Sequence, residues 1–142
     1  MIEISSVPTA NEYFPCLPAG MLDDNGDFAG NMAREIEEEL GIKIEKDKLV
    51  DLTKLAYGDK FQGMYPSIGG TDEYVRLFTF REKMKKDVLM KFNGSESGLK
   101  EEREYIRLKI VPLKDLWKVS SDSKSLSALT LYENLTRDGL LK

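Results

Sequence analysis

The chain has 142 residues, enough for one modest domain around one core, so residues 1–142 are read as a single domain. Its lone cysteine, Cys16, excludes an internal disulfide and a cysteine-cluster metal site. The absence of histidine excludes imidazole acid–base chemistry, His-containing triads and His-ligated zinc. The net charge of −4 hides a concentration: residues 23–51 hold ten acids against four bases, an arrangement suited to a divalent cation and not to a nucleic-acid groove.

Met1–Ser6 shows no charged-then-apolar leader pattern, and no apolar run approaches the length that spans a bilayer. The expectation is a cytoplasmic protein with neither membrane nor nucleic-acid partners. Residues 10–19 read as extended, because Pro15 and Pro18 forbid a helix, and Asp23–Asp27 reads as a polar turn. A helix is expected over 28–40, with Asp27 as N-cap, Gly41 at its stop, and Met32, Ile36 and Leu40 on its buried face. A strand is expected near 49–57 and a Gly/Pro-rich loop over 58–72. Tyr74–Phe80, β-branched and aromatic, is the best strand candidate. Lys83–Phe92 has Met84, Val88 and Phe92 at helical spacing, and Gly94–Glu102 reads as a polar loop. Tyr105–Val111 alternates as a strand with one buried face and ends at Pro112, with a short helix at Leu113–Trp117 and Trp117 in the core. Ser121–Leu135 closes the chain as a helix with Leu126, Leu129, Tyr132 and Leu135 on one side. Strands interleaved with few helices give an α+β or α/β sandwich.

Chemistry concentrates in Arg34-Glu35-Ile36-Glu37-Glu38-Glu39-Leu40-Gly41-Ile42. On a helix Glu35, Glu38 and Glu39 fall at i, i+3 and i+4 and share a face, while Ile36 and Leu40 hold the opposite side in the core. Arg34 can reach Glu38 one turn on. Crowded carboxylate oxygens suit Mg²⁺ or Mn²⁺, although a Glu-rich helix face is commonly only solvated. A calcium EF-hand loop starting at Asp23 fails, since Phe28 stands at its obligatory glycine and Arg34 at its last ligand.

Gly20, thirteen residues, then Arg34-Glu35-Ile36-Glu37-Glu38-Glu39-Leu40-Gly41-Ile42 resembles the Nudix box. The flanking Leu17-Pro18-Ala19-Gly20-Met21-Leu22-Asp23-Asp24 is similar to the ADP-sugar and ADP-ribose diphosphatase branch. So are Pro66-Ser67-Ile68-Gly69-Gly70-Thr71-Asp72-Glu73 and Gly98-Leu99-Lys100-Glu101-Glu102-Arg103-Glu104-Tyr105-Ile106. The resemblance runs over about residues 7–140. It implies an α+β Nudix fold, an α/β/α sandwich with a mixed sheet between helices. The activity implied is hydrolysis of an ADP-sugar or ADP-ribose to AMP and a sugar phosphate, a small-molecule substrate, with Mg²⁺ or Mn²⁺ as cofactor. It makes Glu35 and Glu39 metal ligands together with the Ala19 carbonyl, Glu38 a secondary ligand, and Arg34 the residue that orients the carboxylates. Glu104 would contact metal or help activate water, with Glu101 and Glu102 as rivals. Gly69, Gly70 and Asp72 would close on substrate, and Tyr13, Phe14, Tyr57 and Tyr65 are candidates for stacking on adenine or for core and rim positions.

Two departures stand out. Gly26 occupies the place of the box's first glutamate, with Asp27 beside it. The box also begins at residue 20, where the branch has an N-terminal domain and sheet strands ahead of it. The expectation is therefore a fold lacking those strands, with an uncovered edge that invites pairing into a homodimer. Another nucleotide hydrolase of the family and a catalytically weak binding module are the alternatives.

Overall fold

The structure is a computed structural model that describes residues 1–21, 27–98 and 105–141. Ile2 and Ile4 alternate with Glu3 and Ser5, and this period of two makes β1, Ile2–Ser6, a strand with one apolar face. It pairs antiparallel with β2, Asn11–Cys16, in a hairpin whose register shifts between Ile4 and Ser6. Two strands thus precede residue 20, correcting the expectation of a chain without N-terminal strands; the alternation at residues 2–5 was the signal for the first.

The helix read over 28–40 is present as α1, Phe28–Leu40. Asp27 accepts a hydrogen bond from the Gly30 amide, and Gly41 closes the helix in the left-handed region at φ 66°. The expected strand at 49–57 is corrected: β3 is only Val50–Asp51, and α2 follows at Leu52–Tyr57. Asp51 ends the strand because its carboxylate caps α2 through the Lys54 amide at 2.8 Å. With its partner cut short, the strand expected over 74–80 is paired, among the described residues, only at β4, Phe78–Thr79, and at one bridge between Val75 and Met64. Then come α3, Lys86–Phe92, β5, Glu96–Ser97, and β6, Ile106–Leu108. The chain finishes with α4, Leu116–Val119, and α5, Ser123–Arg137.

The sheet order is β2-β1-β6-β5, with β3-β4 as a separate pair. All pairings among the described residues are antiparallel, where a mixed sheet was expected, and the class is α+β. Among the described residues two apolar clusters hold the fold. Ile2, Cys16, Ile106 and Leu108 pack on one face of the four-stranded sheet, with Leu40 of α1 and Phe92 of α3 against them. Leu52, Leu77, Ala128, Leu135 and Leu141 join α2 and the residue leading into β4 to α5 and the chain after it. Burial pushes the Cys16 thiol up to about 11, helped by the negative charges of Asp122 and Glu39, so Cys16 is a small neutral core residue.

Two core assignments are corrected. Trp117 is 59% exposed beside Lys118, and Leu116 is buried in its place. Leu126 is 38% exposed; Ser125, Ala128, Leu129 and Leu135 form the buried stripe of α5. Among the described residues no helix is long and apolar enough to cross a membrane.

Candidate functional site

A cavity of about 590 Å³ opens between α1, the segment 72–78 and the start of α5. From α1 it takes Phe28, Asn31, Met32 and Glu35; from the chain ahead of α1, Ala19, Gly20 and Met21; from α5, Lys124. A narrower apolar cavity of about 260 Å³ continues from it, lined by Leu17, Ile36, Leu40, Leu77 and Ala128.

Glu35 is set into this cavity by backbone. A Cβ built on Gly20 would overlap the Glu35 carboxylate, so only glycine lets the strand-to-helix connection pass so close to the acid. Ala19, whose carbonyl the sequence offered as a ligand, lines the same wall. One turn along α1, Glu39 is 5% exposed, and its main-chain carbonyl accepts a hydrogen bond from the Ser97 hydroxyl of β5. Glu38 lies exposed, as does Glu37. Arg34 reaches back one turn, donating to the Asn31 side-chain oxygen at 2.8 Å.

Among the described residues no three Asp, Glu, Cys or His side chains are grouped as a metal cage. Mg²⁺ does not require one, because it keeps several waters and binds through one or two carboxylates plus substrate phosphates. An all-oxygen set of Glu35 pressed on Gly20, buried Glu39 and the carbonyl of Ala19 fits that demand in kind.

Asp72 lines the cavity, whereas Gly69 and Gly70 sit just before it in an exposed turn, where the Gly70 and Thr71 amides both donate to the Ser67 carbonyl. Gly26 and Glu104, with its rivals Glu101 and Glu102, lie outside the described residues. Of the aromatic candidates, Tyr13 carries the Arg107 guanidinium at 4.3 Å on the sheet. Tyr57 meets Phe61 edge-on, and Phe14 packs on the sheet cluster. Tyr65 adjoins the site through Tyr74, with ring centroids 6.3 Å apart.

The cavity wall also contains Phe28, Tyr74, Arg76 and Lys124, which the sequence did not single out. Arg76 is bound by Asp51, its Nε at 3.0 Å from the carboxylate, and its guanidinium lies 4.8 Å from the Phe28 ring centre. The same Asp51 caps α2, so one carboxylate fixes both a helix start and a cation of the cavity wall. Lys124 is held by Asp122, the N-cap of α5, at 3.1 Å. Burial opposes the charge on Asp122, but hydrogen bonds from Ser125 and Lys124 outweigh it and hold the carboxyl below its ordinary range.

Comparison with known proteins agrees with this construction. The family model described as the NUDIX domain matches residues 5–129. Nudix hydrolase 14, chloroplastic, of Arabidopsis thaliana is 42% identical over 126 residues, covering 88% of this chain and 41% of that protein. The chain thus spans about two fifths of the length of that curated relative. With the box helix, its glycine-seated glutamate and a family match over most of its length, the chain belongs to the NUDIX domain family.

Proposed function

We propose that this chain is a hydrolase, dependent on Mg²⁺ or Mn²⁺, that cleaves the pyrophosphate of an ADP-sugar or ADP-ribose to AMP and a sugar phosphate. The observation that carries the reading is Glu35, a carboxylate seated in the cavity against a glycine that nothing larger can replace without moving it. A divalent cation, when bound, neutralises pyrophosphate charge and the charge that develops during attack. Glu35, Glu39 and the Ala19 carbonyl would hold it, with exposed Glu38 in a secondary role. Arg34 and Asn31 fix each other on the same helix and keep the acidic turn oriented. Asp72 and the Gly69-Gly70 turn border the substrate. Water adds to one phosphorus as the bridging P–O bond breaks, and Glu104 takes the proton of that water. A homodimer and a cytoplasmic location belong to the same proposal; the relative is named chloroplastic.

The test is AMP release from ADP-ribose and ADP-glucose with and without Mg²⁺ or Mn²⁺, alongside a panel of other nucleotides. Turnover is expected only with metal and should fall at least a hundredfold in Glu35→Gln. Gly20→Ala should show a similar loss with unfolding in urea little changed, because the added methyl displaces only the flexible end of Glu35. Full turnover in either variant overturns the metal-site assignment.

A further inference from the structure

The cavity wall away from Glu35 is aromatic. Phe28 and Tyr74 have ring centroids 6.5 Å apart, and Tyr65 continues the row 6.3 Å beyond Tyr74. These rings are held from behind. A Cβ on buried Gly63 would come within 3.1 Å of the Tyr74 ring and 2.6 Å of the Val75 carbonyl oxygen, so Tyr74 is packed directly on a backbone that the Met64–Val75 bridge anchors. Phe28 is braced by Arg76, which Asp51 immobilises. Between the rings and Glu35 along α1 lies Asn31, only 7% exposed. Its side-chain oxygen is taken by Arg34, while its Nδ2 has no hydrogen-bond partner among the described residues. A buried amide donor without an acceptor is costly unless a ligand or water supplies one.

A cavity with a preordered aromatic wall and a spare donor, continuous with an acidic phosphate-cleaving end, matches a ligand with a flat π-face and acceptors beside it. We infer that Tyr74 and Phe28, extended by Tyr65, form the platform on which the nucleobase of the substrate stacks, with Asn31 donating a hydrogen bond to the bound nucleotide. The inference rests on the nucleotide-hydrolase reading of the same cavity and adds the residues that read the base.

Binding of AMP and of ribose 5-phosphate, measured by calorimetry without metal, separates the base from the phosphate and the sugar. The chain should bind AMP about tenfold or more tightly than ribose 5-phosphate, in keeping with one base stacked on an aromatic ring. Tyr74→Phe should keep that gap. Tyr74→Leu and Phe28→Leu, which retain apolar bulk against Gly63 and Arg76 but delete the ring, should each narrow it severalfold and leave ribose 5-phosphate binding unchanged. Equal affinities for the two ligands in the unaltered chain, or an unchanged gap in both leucine variants, overturns the platform. Hydrolysis is scored separately. A chain with the gap that cleaves no nucleoside diphosphate sugar overturns the hydrolase reading and upholds the platform, whereas turnover with no gap overturns the platform alone.

Discussion

Glu3 shows how one residue can be both buried and charged. Its side chain is only 8% exposed in the middle of the four-stranded sheet, opposite the apolar face, and it receives Arg107 Nε at 2.7 Å and Lys109 Nζ at 2.7 Å from β6 and the residues after it. Burial by itself would raise its pKa, but the hydrogen bonds from Lys109 and Arg107 outweigh that and hold the carboxyl below its ordinary value of 4.5. A carboxylate whose pKa is lower folded than unfolded lends stability above the unfolded value, and that stability is lost as the pH falls through the folded value. Glu3→Gln should therefore cost about 1–3 kcal/mol at pH 7. Urea unfolding repeated at decreasing pH should show the difference between parent and variant shrinking below about pH 4.5. A gap that stays constant into acid would mean that Glu3 stabilises by packing alone.

At the level of elements, α1 was legible because both of its ends are chemically marked. Asp27 caps the start through Gly30, and Gly41 at φ 66° takes the left-handed turn that ends it, its amide bonding to the Glu37 carbonyl. A Cβ on Gly41 would meet nothing within 4 Å, so Gly41→Ala tests backbone strain without a steric clash. It should destabilise by about 1 kcal/mol in urea, with the turnover proposed above unchanged per folded molecule. The Nudix box was legible for the same local reason, since Arg34, Glu35, Glu38 and Glu39 stand at fixed spacings on that helix. What failed was pairing over distance. Residues 49–57 and 74–80 have strand composition, yet Asp51 caps α2 and binds Arg76, and this choice between two neighbours is invisible to a local pattern. Asp51 and Gly58, the latter at φ 62°, did mark a short helix between them. The platform rings were missed similarly: Phe28 read as the first helical residue and Tyr74 as a strand residue, and only the fold brings them 6.5 Å apart.

At the scale of the whole molecule, the cavity joins pieces anchored in different cores. Leu40 ties α1, with Glu35 and Phe28, to the sheet cluster. Val75 and Leu77 tie the segment bearing Tyr74 to the cluster between α2 and α5, and Lys124 comes from α5 itself. A ligand filling that space must stabilise both clusters together. Binding to the folded state alone adds about 2.7 kcal/mol at a hundredfold excess over Kd. Trp117, the single tryptophan, lies half-exposed on α4, which packs on α5, so its fluorescence follows the α4–α5 contact, while far-ultraviolet dichroism follows the whole chain. Saturating AMP should raise the urea midpoint seen by both probes equally, and Tyr74→Leu should abolish most of that rise. A shift confined to the Trp117 signal would place the ligand on the α5 side alone and remove α1, with Phe28, from the binding surface.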